Sequence, residues 1–197
     1  MISDVQKPLG SGFEAGSTAE DVIRDVDLTG RTAIVTGGYS GIGLETTRAL
    51  ARSGATVIVP ARDTAKAAAA LNGIERVELE RLQLTDPASI AAFAERVVSS
   101  RRAVSLLINS AGVMATPLVR DADGHEGQFA TNHLGHFRLA LALWPALKAA
   151  GGARIVSVSS RGHQIAGVDF EDIDFRSRAY DKWVAYGQSK TANALFA

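Results

Sequence analysis

Short apolar segments alternate with longer amphipathic ones from residue 28 onward. The apolar segments predict five β-strands, at 31–36, 55–61, 77–84, 104–108 and 153–158. Helical periodicity predicts helices between these strands and a last helix from about residue 181 onward. This alternation indicates an α/β fold, a doubly wound parallel sheet with helices on both faces. Such a sheet binds its ligand at the carboxyl ends of the strands, where the strand order reverses.

Turn and cap residues place several helix ends. Asp86 followed by Pro87 suits the start of the third helix, and Gly54, Gly73 and Gly151 stand where helices are expected to end. Residues 1–29 carry no apolar core and do not read as a secretory signal. We therefore predict an N-terminal arm at 1–29, flexible or draped over the surface, and one domain at 30–197.

A glycine-rich turn, TGGYSGIG at 36–43, joins the first strand to a helix predicted at 43–53. Gly37, Gly41 and Gly43 allow a sharp turn and a close approach to a diphosphate, and the helix start offers N–H groups to anionic oxygens. A turn without a ligand would explain any one of these glycines. The strand, the three glycines and the helix together favour nucleotide binding.

Tyr186 and Lys190 stand four residues apart in YGQSK. On a helix, residues at this spacing share one face. An ammonium group beside a phenol favours the phenolate, which makes a tyrosine a usable acid or base near neutral pH. The spacing is also common on solvated helix faces, so its meaning depends on the rest of the sequence.

Composition favours small-molecule chemistry. The 21 basic and 21 acidic residues cancel, which leaves no electrostatic attraction to nucleic acid or to an anionic membrane. The chain has no cysteine, so disulfides, thiolate nucleophiles and cysteine metal sites are excluded. The most apolar stretch, 139–150, is too short for a membrane span and contains Pro145 and Lys148. We predict a cytoplasmic protein.

Five ordered motifs resemble those of the short-chain dehydrogenase/reductase family: TGGYSGIG at 36–43, NSAG at 109–112, Asn132 in TNHLGHF, SVSS ending at Ser160, and YGQSK at 186–190. The resemblance covers residues 28–197. The segment between Ser160 and Tyr186, together with HEGQFATNHLGHF, is most similar to the branch of retinol dehydrogenases and protochlorophyllide reductases. The family resemblance implies a Rossmann-type fold and an oxidoreductase that uses NAD(P) to interconvert a small hydrophobic carbonyl and its alcohol.

The resemblance also implies residue roles. Tyr186 would be the acid/base, Ser160 would hold the substrate oxygen, Lys190 would stabilise the phenolate and contact the nicotinamide ribose, and Asn132 would hold a water molecule. Ser159 is the rival of Ser160, and strand alternation puts the two on opposite faces. The implied cofactor-binding residues are Gly37, Tyr39, Ser40, Gly41, Ile42, Gly43, Arg62, Gln83, Leu84, Asn109, Ala111, Gly112, Tyr186 and Lys190.

The end of the second strand bears on the choice of cofactor. Ala61 stands where NAD-binding relatives carry an acidic residue, and Arg62 follows it. A 2′-phosphate requires the acid to be absent and a cation to be near, so we predict NADP(H) over NAD(H). Gln83 replaces the family's aspartate beside the adenine, and its amide can still accept and donate hydrogen bonds.

The sequence also contains residues that could suggest a serine hydrolase or a metal site. A serine hydrolase could use Ser160, His163 and Asp169, but no G-x-S-x-G turn is present. His133 and His136 lack an acidic third ligand, so we predict packing or surface histidines and no metal site.

The remaining alternative is a non-catalytic nucleotide sensor, or an inactive fragment, on the same fold. The presence of all four proposed catalytic side chains argues against it. Compared with the family, the chain looks truncated after the helix of Tyr186, before the later strands and the substrate lid. The sequence therefore leaves the substrate and the oligomeric state undecided.

Overall fold

The computed structural model describes residues 10–197. They form a parallel sheet of five strands with the order β3-β2-β1-β4-β5. The strands are β1 (Thr32–Thr36), β2 (Thr56–Ala61), β3 (Val77–Arg81), β4 (Leu106–Asn109) and β5 (Arg154–Ser157). The order reverses between β1 and β4, which is the point where doubly wound sheets bind ligands. The predicted Rossmann-type fold and all five predicted strands are confirmed.

Eight α-helices connect or flank the strands in this part of the chain. They are α1 (Ala19–Ile23), α2 (Gly41–Arg52), α3 (Thr64–Leu71), α4 (Pro87–Ser99), α5 (Gly127–Phe129), α6 (Gly135–Ala142), α7 (Trp144–Ala149) and α8 (Lys182–Phe196). A π-helical turn at Ala130–Leu134 joins α5 to α6, and a 3₁₀ turn at Arg161–Gln164 follows β5.

Alternation along β1 divides the core into two layers. Ala33 and Val35 face α2 and α3, where they meet Leu50 and Leu71. Ile34 faces the opposite layer, which is built on α4, α6 and α7. The side chains of that layer include Phe93, Leu107, Leu139, Leu143 and Leu147. The central strands β1, β2 and β4 are apolar along most of their length, because both faces of the sheet are covered there. The edge strands β3 and β5 carry charged residues, among them Glu78, Glu80 and Arg154.

Several predicted boundaries were wrong by a few residues. The helix α2 begins at Gly41 rather than residue 43. The strand β3 ends at Arg81 rather than residue 84, because Asp86 N donates to Gln83 O and closes a turn there. The apolar stretch 139–150 is divided between α6 and α7 at Leu143, and Pro145 lies in the first turn of α7.

The described part of the N-terminal arm, residues 10–29, contains the short helix α1. Its capping box joins Thr18 and Asp21, as sequences of this type often do at helix starts. Glu20 pairs with Arg52, and Leu28 N donates to Ser53 O. These contacts lay residues 19–28 against the end of α2. The first nine residues of the predicted arm lie outside the described residues.

Gly135 brings α6 against the loop that follows β3. A Cβ atom at this position would overlap the carbonyl oxygen of Leu84. The helix can therefore lie this close to the sheet only with glycine at residue 135. The preceding π-helical turn includes a hydrogen bond from Gly135 N to Ala130 O, so the same close contact fixes the turn that carries Asn132.

We expect Gly135→Ala to lower the free energy of unfolding by about 1–3 kcal/mol, because a methyl group would press on backbone that cannot move aside. Urea denaturation measures the change. Gly152→Ala is the matched control, since a Cβ at Gly152 meets no atom within 4 Å. Equal stability of the two variants would contradict the proposed close packing.

Candidate active site

A cavity of about 520 Å³ opens at the carboxyl ends of the strands, beside the reversal of strand order. Ser160 lines it together with twelve of the predicted cofactor residues: Gly37, Tyr39, Ser40, Ile42, Gly43, Arg62, Gln83, Leu84, Ala111, Gly112, Tyr186 and Lys190. Three predicted site residues, Gly41, Asn109 and Asn132, do not form its surface. The structure thus brings together side chains that are up to 153 positions apart in the sequence.

The glycine turn at the end of β1 is closely packed. Gly37 has a φ of 68°, and a Cβ there would lie 2.9 Å from Ala111 Cα. A Cβ on Gly43 would overlap the carbonyl oxygen of Gly37. These two positions therefore require glycine, as expected where a backbone turn packs a helix start against a nucleotide site.

The N-terminus of α2 has no side-chain cap. Its N-cap residue, Ser40, makes no capping hydrogen bond, whereas Asp63, Asp86 and Asp181 cap α3, α4 and α8. Backbone N–H groups in the first turn of a helix have no partner inside the helix. Those of α2 lie beside the cavity and can donate to anionic oxygens, so the turn fits a dinucleotide diphosphate.

Tyr186 and Lys190 both reach the cavity from α8. The Nζ atom of Lys190 lies 5.8 Å from the centre of the Tyr186 ring and donates to Val158 O at 3.1 Å. Burial lowers the pKa of Lys190 below its usual range. The Tyr186 ring packs on Gly162, where a Cβ would lie 2.7 Å from Tyr186 Cε1. The predicted shared face of these two side chains is observed.

The two neighbouring serines have different hydrogen-bond partners. Ser159 Oγ donates to Lys190 O at 2.8 Å, which ties its only hydroxyl hydrogen to α8. Ser160 Oγ accepts from Gly162 N at 3.1 Å. Its hydroxyl hydrogen is not used in that bond, so Ser160 can donate it into the cavity.

The segment 110–116 continues the chain beyond β4, and its residues 110–114 form one wall of the cavity. Ser110 N and Ala111 N both donate to Thr36 Oγ1, each at 3.0 Å. Asn132 fixes the middle of the segment: its Oδ1 accepts from Val113 N at 2.8 Å, and its Nδ2 donates to Val113 O at 2.9 Å. Asn132 therefore lies behind the wall and holds it.

The far end of the wall is held by side chains that the sequence analysis did not identify. Gln128 Oε1 accepts from Ala115 N at 2.8 Å, and the Tyr180 hydroxyl donates to Thr116 O at 3.0 Å. Gln128 also donates to Tyr180, which joins the two supports. Gln128 stands in HEGQF and is wholly buried, and a buried amide needs hydrogen-bond partners. That burial is visible only in the fold.

Asn109 lies at the end of β4, beside Thr36 and Ser157 in the sheet register. Its side chain is buried, and neither amide atom has a hydrogen-bond partner among the described residues. The structure therefore puts Asn109 behind the site, and the residue does not line the cavity.

His136 is the least expected of the buried polar residues. Its Nδ1 lies 2.9 Å from Asn132 O, and its Nε2 lies 2.8 Å from Thr36 Oγ1. Burial lowers the pKa of this imidazole to about 4. His133, in contrast, is half-buried, lies 3.3 Å from Asn193 Oδ1 and packs against Phe129. The prediction of packing histidines describes His133 and misses the polar contacts of His136.

Comparison with protein-family models matches residues 31–171 to the short chain dehydrogenase family. The chain belongs to the short-chain dehydrogenase/reductase family. A probable oxidoreductase of Streptomyces antibioticus is 52% identical in a 178-residue alignment that covers 87% of this chain and 59% of that protein. Retinol dehydrogenase 12 of Mus musculus is 42% identical over 87% of this chain and 56% of its own length. The chain thus spans less than two thirds of these relatives.

Solved structures agree with this membership. A Mycobacterium paratuberculosis protein superposes with a TM-score of 0.82 and 44% identity, over 92% of this chain and 64% of its own. A metagenomic short-chain oxidoreductase in complex with NADP gives a TM-score of 0.69 and 28% identity, over 86% of this chain and 74% of that one. The family assignment therefore rests on sequence and on fold.

Two further observations concern the described residues, 10–197. None of the helices there combines the length and the apolar character that crossing a bilayer requires. The same residues contain no group of three histidine or acidic side chains placed to hold a metal ion.

We expect His136 to make the fold sensitive to acid. The folded-state pKa of about 4 lies below the ordinary value of 6.5, so the unfolded state binds more protons between these limits. The free energy of unfolding should therefore fall as the pH drops from about 6.5 to 4, by up to about 3 kcal/mol. Urea denaturation across this range measures it.

The matched variant is His136→Gln, which carries no titrating group at this position. His133 and the Lys190 ammonium face His136 and remain in the variant, so the difference between the two curves isolates His136. Identical pH dependence in both proteins would show that His136 titrates normally in the folded state.

Proposed function

We propose that the protein is an NAD(P)-dependent oxidoreductase that interconverts a carbonyl and an alcohol, with Tyr186 as the acid/base. The single observation that supports this most is the shared cavity. The glycine turn, the uncapped start of α2, Ser160, Tyr186 and Lys190 all face one space at the carboxyl ends of the strands. A nucleotide site alone would not need a phenol, an ammonium and a hydroxyl there.

The residues present fit a nicotinamide dinucleotide. Gly37 and Gly43 leave room for close approach of a diphosphate, and the N–H groups at the start of α2 would hold its oxygens. Arg62 would pair with a 2′-phosphate, and Lys190 would contact the ribose near the nicotinamide. When bound, the cofactor supplies or accepts the hydride.

The chain's own residues supply the proton chemistry. In the reducing direction, Tyr186 Oη would donate its proton to the substrate oxygen, and the Ser160 hydroxyl would donate a hydrogen bond to the same oxygen. Lys190 would stabilise the resulting phenolate through its positive charge. Ser160 suits this role better than Ser159, whose hydrogen is already donated to Lys190 O.

The NADP(H) preference is part of this proposal. Ala61 is buried at the end of β2 and Arg62 is exposed, and both line the cavity. No acidic side chain therefore occupies the position that would repel a 2′-phosphate. A guanidinium can bind such a phosphate through two parallel hydrogen bonds. We also infer a small hydrophobic substrate and retain the cytoplasmic location as a prediction.

We expect Tyr186→Phe to reduce carbonyl turnover by at least about 100-fold, since the phenol is the proton donor. NADPH affinity should stay within about twofold, because the hydroxyl is not required to hold the diphosphate. Steady-state kinetics with a panel of hydrophobic aldehydes and ketones, run on the full-length protein, measure the first effect. Fluorescence titration measures the second.

Trp183→Phe is the control for Tyr186→Phe. Trp183 lies exposed on the same helix, α8, and does not line the cavity. Near-normal turnover by Tyr186→Phe would refute the assignment of the acid/base and leave Ser160 as the candidate.

We expect NADPH to bind more tightly than NADH, and Arg62→Ala to weaken NADPH binding by at least about tenfold. A charge-assisted hydrogen bond to a phosphate contributes about 1.5–3 kcal/mol. NADH has no 2′-phosphate and cannot make this contact with Arg62. Fluorescence titration with both nucleotides checks this. Arg31→Ala is the control, because Arg31 precedes β1 at the opposite end of the sheet. Unchanged NADPH affinity in Arg62→Ala would contradict the assignment.

A further inference from the structure

The buried imidazole of His136 connects two residues of the site. It is 1% exposed, with Asn132 O at 2.9 Å from Nδ1 and Thr36 Oγ1 at 2.8 Å from Nε2. A carbonyl oxygen can only accept a hydrogen bond, so Nδ1 carries the hydrogen. In the neutral ring Nε2 is then an acceptor, and Thr36 must donate to it. The surroundings of His136 permit one tautomer.

The orientation of the Thr36 hydroxyl follows from this tautomer. A hydroxyl has one hydrogen to donate and two lone pairs to accept with. The hydrogen points to His136, and the lone pairs accept from Ser110 N and Ala111 N at 3.0 Å each. The other acceptor near Thr36 Oγ1 is Ile108 O, at the longer distance of 3.4 Å. His136 therefore aims both lone pairs at the cavity wall.

The second contact of His136 leads to the same wall. Asn132 lies in the π-helical turn, where its carbonyl oxygen accepts from His136 and its side chain binds both backbone groups of Val113. One imidazole thus governs the partners of Ser110, Ala111 and Val113. All three of these residues line the cavity.

We propose that His136 is a positioning residue, which holds the wall segment 110–113 in the arrangement that binds the nicotinamide dinucleotide. It acts through Thr36 at one end of the segment and through Asn132 at the other. The inference rests on the proposed function only for the identity of the ligand. The hydrogen bonds that hold the wall are independent of it.

Three variants test this. His136→Phe keeps a planar ring and removes both hydrogen bonds, whereas His136→Gln offers an amide that can donate to Asn132 O and accept from Thr36. Thr36→Val removes the hydroxyl and keeps the shape of the side chain. The matched control is His133→Phe, which changes a histidine on the neighbouring π-helical turn whose ring bonds to Asn193 rather than to Thr36.

The first readout is amide hydrogen exchange at Ser110 and Ala111 in the protein without nucleotide. We expect both amides to exchange at least about tenfold faster in His136→Phe and in Thr36→Val. Thr36→Val removes the oxygen that accepts from these amides, and His136→Phe removes the group that orients it. The double variant His136→Phe/Thr36→Val should exchange little faster than either single variant, because both residues act through the Thr36 hydroxyl. His136→Gln should restore most of the protection, and His133→Phe should leave it unchanged.

The second readout is NADPH affinity by fluorescence titration, followed by steady-state kinetics. His136→Phe should raise the Kd by about tenfold, and kcat at saturating NADPH should change less than KM for NADPH. His136→Gln should lie near the wild type. Overall destabilisation alone would not produce this rescue by an amide.

Unchanged exchange at Ser110 and Ala111 in His136→Phe would overturn the proposal. It would also be overturned if His136→Gln behaved like His136→Phe in both readouts. If the wild-type protein bound no NADPH, the proposed function would fail, and the exchange measurement would still decide whether His136 positions the wall.

Discussion

The cavity depends on one constraint, which is that the backbone of residues 110–116 continues beyond the sheet and still needs hydrogen-bond partners. Unpaired backbone groups away from water cost free energy comparable to a lost hydrogen bond. Backbone groups of this segment form hydrogen bonds, in chain order, with the side chains of Thr36, Asn132, Gln128 and Tyr180. The wall of the site is therefore shaped by side chains from β1, from the 127–134 region and from Tyr180, which precedes α8.

Four of the most buried polar residues lie around this segment. Glu126, Gln128, Asn132 and His136 are each at most 1% exposed. Burying a polar group is costly unless its hydrogen bonds are made. These residues bond to the wall, to each other and to neighbouring groups such as Ser189 Oγ. A network that is fully satisfied in this way specifies one arrangement of the loop that it holds.

The sequence predicted the sheet well because its signals are local. Apolar segments mark the strands, and the turn after β1 has glycines where backbone atoms come into contact, at Gly37 and Gly43. The motif residues Tyr186, Lys190 and Ser160 were found through a family resemblance, and the fold brings them to one cavity. Boundaries were less accurate, because β3 ends at the turn that Asp86 N closes on Gln83 O, and α2 begins at the uncapped turn of Ser40.

The support of the site was missed for a different reason. His136 lies four residues after Asn132, and such a spacing on a helix suggests only a shared face. His136 follows the π-helical turn at Ala130–Leu134, and its imidazole meets both Asn132 O and Thr36 Oγ1.

Thr36 is 100 positions away from His136 in the sequence, and Gly135 allows α6 to approach because it lacks a Cβ. No pattern among neighbouring residues can indicate a contact between positions so far apart in the sequence. A buried histidine therefore acquires its role from packing of the fold, and packing also selects the neutral tautomer that the role requires.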